Sequence, residues 1–338
     1  MFKNPRARHD FLGRSCSIAA VGSYVPERVL TNADLERSVE TTDDWIVSRT
    51  GIRERRIAAD GEATSDLATK AALRAIESAG VTPTDIDLII VATITPDMPF
   101  PSTACLVQNK LGAKRAAAFD IEAACSGFIY ALEVGMQFIM SRTYETVLVI
   151  GAEKLSSIVD WKDRNTCVLF GDGAGAAILQ HRPDSHGLLT VCMGADGAKG
   201  GLLCLPAGGS KMPASIETVS NRLHYLRMDG KETFKHAVQA MHTAAQEALR
   251  RCEVDISRVK CVIPHQANKR IIDAVGDRLG VREDQLFVNL ERYGNTSAAS
   301  VAIALDEAVR SGRVERGDLI LLLVFGAGFT WGAAVIEW

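Results

Sequence analysis

The chain repeats itself, and this constrains its fold more than any other feature. Asp255-Ile256 stands 170 residues after Asp85-Ile86, each pair just ahead of an apolar run. Leu290-Glu291 stands 169 residues after Ile121-Glu122, each ahead of a stretch of small residues. Phe170-Gly171-Asp172-Gly173 leads into Gly175-Ala176-Ala177-Ile178, as Phe325-Gly326-Ala327-Gly328 leads into Gly332-Ala333-Ala334-Val335. Only 155 residues separate this last pair, so the first copy carries a segment that the second lacks, expected at 154–166. Two copies of one unit then occupy 16–185 and 186–338, behind an extension over 1–15.

Each copy reads as α/β. Apolar runs at 87–95 and 146–152 have the length and branched content of buried strands, and they alternate with helical patterns at 64–79, 128–140 and 234–252. The first of these helices is expected to open on a Thr64-Ser65 capping signal and to close at Gly80. In the last, Phe234, Ala237, Val238, Met241, Ala245, Ala248 and Leu249 share one face. The uncharged stretch 319–336 is broken by Gly326, Gly328 and Gly332, which suits two strands and a glycine turn better than a membrane span.

Composition narrows the function classes. Hydrophobic residues make up 47% and charged residues 23%, enough for a large core. A net charge of −3 gives no bulk attraction to nucleic acid or to a membrane surface. The eight cysteines include no C-x-x-C pair, and residues 1–14 lack the apolar core of a secretory signal. A cytoplasmic protein with reduced thiols is expected.

The repeat then places three polar residues. Asp120-Ile121-Glu122-Ala123-Ala124-Cys125-Ser126-Gly127-Phe128 passes from a strand into a helix, so Cys125 falls at a tight turn near a helix N-terminus. Unpaired N–H groups there favour a thiolate, the form a nucleophile needs; a buried, inert cysteine is the plainer alternative. Asn295, 170 residues later, occupies the equivalent turn in Tyr293-Gly294-Asn295-Thr296-Ser297-Ala298-Ala299-Ser300. Capping of a helix over 298–310, by Asn295 or by Thr296, is the plainer expectation for this turn. His265 follows a strand that starts near Val259 and ends at Pro264, at the carboxyl edge where open α/β sheets hold ligands. Cys125, His265 and Asn295 also stand in the order of a papain-like peptidase, but the flanking signature and the two-copy plan speak against one. A binding protein without catalysis would have little use for all three.

These stretches, with Pro264-His265-Gln266-Ala267-Asn268, resemble β-ketoacyl-acyl-carrier-protein synthase III of the thiolase superfamily. The resemblance extends through Thr41-Thr42-Asp43-Asp44-Trp45-Ile46-Val47-Ser48-Arg49-Thr50-Gly51 and the two Phe-Gly segments, and covers about Ile18 to Trp338. It implies a thiolase-like fold, two pseudo-symmetric α/β halves forming a layered α-β-α-β-α sandwich. It also implies decarboxylative condensation of an acyl-CoA, acetyl-CoA first, with malonyl-acyl-carrier protein through an acyl-cysteine at Cys125, initiating fatty acid synthesis. His265 and Asn295 would stabilise the malonyl-derived enolate. Related enzymes with another acyl acceptor, or polyketide and ketone synthases, are the alternative.

By the same resemblance, Trp45 and Arg164 would sandwich the CoA adenine, Arg49 would lie near its phosphates, and Gly230 and Asn268 would line the pantetheine channel. Phe325 would form an apolar wall beside the cysteine, and Phe100 would reach into the partner's acyl pocket in a homodimer. Gln266, Ala267, Asn268, Lys269, Arg270, Lys235 and Arg278 would receive the carrier protein. No cofactor, metal, nucleic acid or membrane is implied, since acyl-CoA is a substrate. The extension over 1–15, the long segment 205–222 by the channel mouth, and the cationic Lys231 depart from the shortest family pattern.

Overall fold

Period-two alternation fixes the layering of the chain. In the strand Thr146–Glu153, Val147 and Val149 face one buried cluster while Leu148 and Ile150 face another. A strand apolar on both sides must be covered on both sides. This computed structural model describes residues 15–182 and 187–338. The extension therefore lies outside the described residues except for Ser15, and so does the expected boundary at 185–186.

Five strands form the first sheet, in the order Ser17–Tyr24, Gly173–Gln180, Thr146–Glu153, Leu88–Ala92 and Ala117–Ile121. Four form the second, in the order Gly187–Ala195, Thr330–Glu337, Leu319–Gly326 and Cys261–Pro264. The two orders correspond strand for strand, with antiparallel pairs on one side and parallel pairs on the other. Where the first sheet has its fifth strand, the second has a partial one, in which the Phe287 N–H donates to the Val262 carbonyl at 3.0 Å.

Helices Gly127–Met140 and Ala299–Arg310 lie between the sheets, where Phe128, Leu132, Val301 and Leu305 join strand residues from both in one cluster. Helix Thr64–Ala79 covers the outer face of the first sheet, and helices Gly230–Cys252 and Lys269–Leu279 that of the second. The result is the layered α-β-α-β-α arrangement. The extra residues of the first copy lie between Glu153 and Gly173, opposite a connection of only 327–329 in the second.

Two capping expectations need correction. Thr64 and Ser65 lie inside their helix, and their hydroxyls donate to the Thr95 carbonyl and to Asp97, at 2.5 and 2.6 Å. The Asp66 carboxylate instead accepts the Ala63 N–H at 2.9 Å, while Gly80 closes the helix at φ +67° as expected. Asn295 does not cap Ala299–Arg310: its Oδ1 accepts the Ser297 N–H at 2.8 Å, ahead of the helix. The glycine turn of the C-terminal hairpin is present, and among the described residues no helix is long and apolar enough to cross a membrane.

Candidate active site

Cys125 lies in a one-turn helix, Ala124–Ser126, that runs directly into Gly127–Met140. The turn is sharp because Ala124 takes φ +46°, a conformation that costs a non-glycine residue of order 1 kcal/mol. Its counterpart in the second copy is Gly294 at φ +62°, immediately before Asn295. A residue of positive φ thus immediately precedes the cysteine in one half and the asparagine in the other.

Each half then closes over the other's turn. The Gly326 backbone abuts Cys125, so that a Cβ there would stand 2.7 Å from the Cys125 nitrogen. At Gly171 a Cβ would stand 2.4 Å from the Tyr293 carbonyl oxygen. The Thr330 hydroxyl donates to the Ala123 carbonyl at 2.9 Å and holds the C-terminal hairpin to the cysteine turn.

His265, at the end of strand Cys261–Pro264, is anchored by its N–H to the Leu323 carbonyl at 2.7 Å. Its Nδ1 lies 2.6 Å from Ser300 Oγ, which leaves Nε2 for a substrate. Burial pushes the imidazole down to about 4, so the ring is neutral at physiological pH. The Asn295 oxygen is occupied by Ser297, so its amide hydrogens are the part left to donate.

Burial acts on Cys125 in the opposite sense from the expected helix effect. It pushes the thiol up to about 12, against hydrogen bonding from Ser297 that lowers it, and nearby Glu153 raises it further. The expectation of a resting thiolate is therefore corrected: desolvation of the anion outweighs the N-terminal N–H groups.

Cys125, His265 and Asn295 all line one cavity of about 1610 Å³. Trp45, Arg49, Phe100, Gly230, Asn268 and Phe325 line it as well. Phe325 packs on Phe329 with ring centroids 4.7 Å apart, forming an apolar wall near the cysteine. At the other end, the Arg49 and Arg164 guanidinium groups stand 4.6 and 5.1 Å from the Trp45 ring centroid. Arg164 thus occupies the stacking place itself, and an inserted base would have to lift it. Asn268 caps helix Lys269–Leu279 and donates to the Arg49 carbonyl at 3.0 Å, tying the two halves of the channel.

The expected carrier-protein residues divide. Ala267, Asn268 and Arg270 reach the cavity, whereas Lys235, Lys269 and Arg278 lie exposed outside it. Lys269 pairs with Asp273, and Arg278 donates to Gln239. Gln266 is a correction. It is 1% exposed, donates to the Pro264 and Phe287 carbonyls and accepts the Asn289 N–H, so it braces the fold instead of meeting a partner. Phe100, by contrast, is 83% exposed. In the segment 205–222, Leu205 reaches the cavity, and Arg222 pairs with Asp160.

Sequence reasoning did not single out Ser297, Ser300 or Glu153. A carboxylate ending the otherwise apolar strand Thr146–Glu153 was the available signal. The two serines sit in a stretch of small residues that carried no polar signal of its own.

The chain as a whole is also similar to known proteins. A family model described as 3-oxoacyl-[acyl-carrier-protein (ACP)] synthase III matches residues 119–197, and one for the C terminal of the same enzyme matches residues 249–338. The chain is 57% identical over 324 residues to a beta-ketoacyl-[acyl-carrier-protein] synthase III of Caldanaerobacter subterraneus subsp. tengcongensis, covering 96% of this chain and 98% of that one. A crystal structure of 3-oxoacyl-[acyl-carrier-protein] synthase III from Aquifex aeolicus aligns at TM-score 0.89 and 49% identity, over 96% of this chain and all of that one. The priming beta-ketosynthase of the R1128 polyketide pathway aligns equally well, at TM-score 0.89, but at 38% identity, over 99% and 98% of the two chains.

Proposed function

The chain belongs to the β-ketoacyl-[acyl-carrier-protein] synthase III family and is an acyltransferase of fatty acid synthesis, and we propose that Cys125 carries its acyl group while His265 and Asn295 stabilise the condensing enolate. The observation that carries this reading is the meeting of all three side chains in one cavity, from both copies of the repeat.

Acyl-CoA enters past Trp45 and Arg49, with acetyl-CoA as the expected primer. Cys125 Sγ attacks the thioester carbonyl, and the Cys125 N–H, left uncovered by Gly326, faces the developing oxyanion. Exchange of one thioester for another is nearly balanced in energy, so the site's task is positioning. CoA leaves, and malonyl-acyl-carrier protein docks against Lys235, Lys269, Arg270 and Arg278.

Decarboxylation of the malonyl group leaves an enolate on the second thioester. His265 Nε2 and Asn295 Nδ2 donate to its oxygen. A neutral histidine suits this role, because it donates without first giving up a charge. Phe325 presents an apolar surface that disfavours the ionised carboxylate and favours carbon dioxide. The enolate carbon attacks acyl-Cys125, and the 3-oxoacyl product leaves on the carrier protein. This scheme calls on acyl-CoA as substrate and on no resident cofactor.

Two copies of the chain would complete the acyl pocket, with Phe100 of each inserted into the other. A cytoplasmic, reducing setting keeps Cys125 available as a thiol.

Incubation with labelled acetyl-CoA, followed by mass mapping of the peptides, tests the scheme. Label is expected on Cys125. Label on another residue, or none with any acyl-CoA, would refute the assignment.

A further inference from the structure

Asn295 can donate to a substrate only while its turn stays in place, and the strand Glu54–Ile57 lies against that turn. The Arg53 N–H donates to the Glu291 carbonyl at 3.0 Å, ahead of the turn, and the Arg56 carbonyl accepts the Asp172 N–H at 2.8 Å. Arg55 stands between these anchors. A Cβ on Gly294 would lie 3.5 Å from the Arg55 Cβ, and one on Gly171 would lie 3.1 Å from it. Gly294 immediately precedes Asn295, and the Gly171 N–H donates to the Asn295 carbonyl.

The Arg55 side chain is wholly buried, and its hydrogen bonds go to neutral oxygens. Nη2 donates to the Val168 carbonyl at 2.7 Å, and Nη1 donates to Asn32 Oδ1 and to the Leu30 carbonyl at 2.9 and 3.2 Å. Burial lowers the guanidinium only to about 10, so it stays charged. A desolvated cation makes stronger hydrogen bonds than a neutral donor and is costly to leave without its acceptors. The Val168 carbonyl is therefore held firmly. At the other end of the guanidinium, the Asn32 amide is fixed by donating to Asp43 Oδ1 and to the Ile52 carbonyl, at 2.7 and 2.9 Å. One residue beyond Val168, the Leu169 carbonyl accepts the Asn295 N–H at 2.8 Å.

We infer that Arg55 is a positioning residue for condensation, acting on Asn295 through the backbone from Val168 to Gly171. This rests on Asn295 being an enolate donor. Val168, Leu169 and Phe170 line the cavity together with Asn295, whereas Arg55 lies behind them and touches no substrate. With the guanidinium shortened or made neutral, the segment loses its anchor at Val168, and the Asn295 amide shifts from the place of the enolate oxygen. A displacement of about 1 Å is enough to cost on the order of 10² in rate.

The test is single-turnover condensation. Enzyme is first acylated with acetyl-CoA, then mixed with malonyl-acyl-carrier protein and followed by rapid quench. Arg55→Lys and Arg55→Met are compared with wild type, each alone and combined with Asn295→Ala, with thermal unfolding run in parallel. Lysine keeps the charge but lacks the planar fork that reaches both ends, so it should rescue in part. Both variants should condense about 10- to 10²-fold more slowly, Arg55→Met the slower, while acylation at saturating acetyl-CoA is spared. In the Asn295→Ala background neither should slow the reaction further, because a positioning residue then has nothing to position. If Arg55→Met does not fold, Arg55→Lys decides the matter. A folded variant that condenses at the wild-type rate, or whose slowing carries in full into the Asn295→Ala background, would overturn the inference. Loss of folding in both variants would also overturn it, giving Arg55 to assembly of the fold. Asn295→Ala protein that condenses at the wild-type rate would instead defeat the donor assignment beneath it.

Discussion

Asn295 is paired with Phe170, a residue of the other half of the chain, by a parallel bridge between their backbones. The Asn295 N–H donates to the Leu169 carbonyl at 2.8 Å, and the Gly171 N–H donates to the Asn295 carbonyl at 3.1 Å. The Asn295 turn of the second copy is thus held by the glycine-rich segment of the first, as the Cys125 turn is closely approached by Gly326 of the second. Neither half contains a site by itself.

Replacing the sulfur separates the two half-reactions. Cys125→Ala should abolish acyl labelling and condensation yet leave slow decarboxylation of malonyl-acyl-carrier protein, because His265 and Asn295 are untouched. Release of carbon dioxide from carboxyl-labelled substrate measures this. Condensation persisting in the variant would contradict the acyl-cysteine.

Removing either enolate donor should spare the first step. His265→Ala and Asn295→Ala should each slow condensation by about 10²–10³ while Cys125 still acylates, since one preorganised donor contributes on that scale. Full condensation activity in both variants would refute the two-donor scheme.

The buried histidine should also shape stability against pH. Its folded value of about 4 lies below the unfolded 6.5, so the unfolded chain takes up a proton first as pH falls. The histidine's contribution is thus intact above about 6.5 and is lost as pH drops towards 4. At pH 5 the loss is about 2 kcal/mol relative to neutral pH. Urea midpoints at pH 7.5 and 5 should fall less for His265→Asn than for wild type, and an equal fall in both would exclude the effect.

At the far end of the cavity, Trp45→Ala should raise the KM for acyl-CoA by roughly 2- to 5-fold with little change in kcat. Arg49 and Arg164 are exposed, an arginine–tryptophan stack at such a site contributes about 0.5–1 kcal/mol, and the base inherits that ring face. Steady-state acylation kinetics measure the split. A change in kcat alone would place the tryptophan elsewhere in the mechanism.

The docking residues divide by assay. Lys235→Glu combined with Arg278→Glu should weaken use of malonyl-acyl-carrier protein while leaving acylation by acetyl-CoA unchanged. Gln266→Ala should do something different: it strips the partners from buried backbone groups and should lower stability by about 1–3 kcal/mol. Equal loss in both half-reactions for the charge-reversed protein would rule out a docking role.

Local periodicity, the repeated Phe-Gly segments and the offset between Cys125 and Asn295 are properties of the chain in one dimension. They determined the α/β class, the duplication, the position of the extra segment and the three polar residues, because strand length, helix period and turn chemistry are set by near neighbours. Tertiary structure alone decided the ionisation of the site, since desolvation depends on atoms brought from distant parts of the chain. It turned the expected thiolate into a thiol, withdrew Gln266 from the surface, and set the Ser297 hydroxyl of the second half against the Glu153 carboxylate at the end of a strand of the first. Sequence spacing carries no measure of burial, so these relations arise only once the two halves close on each other.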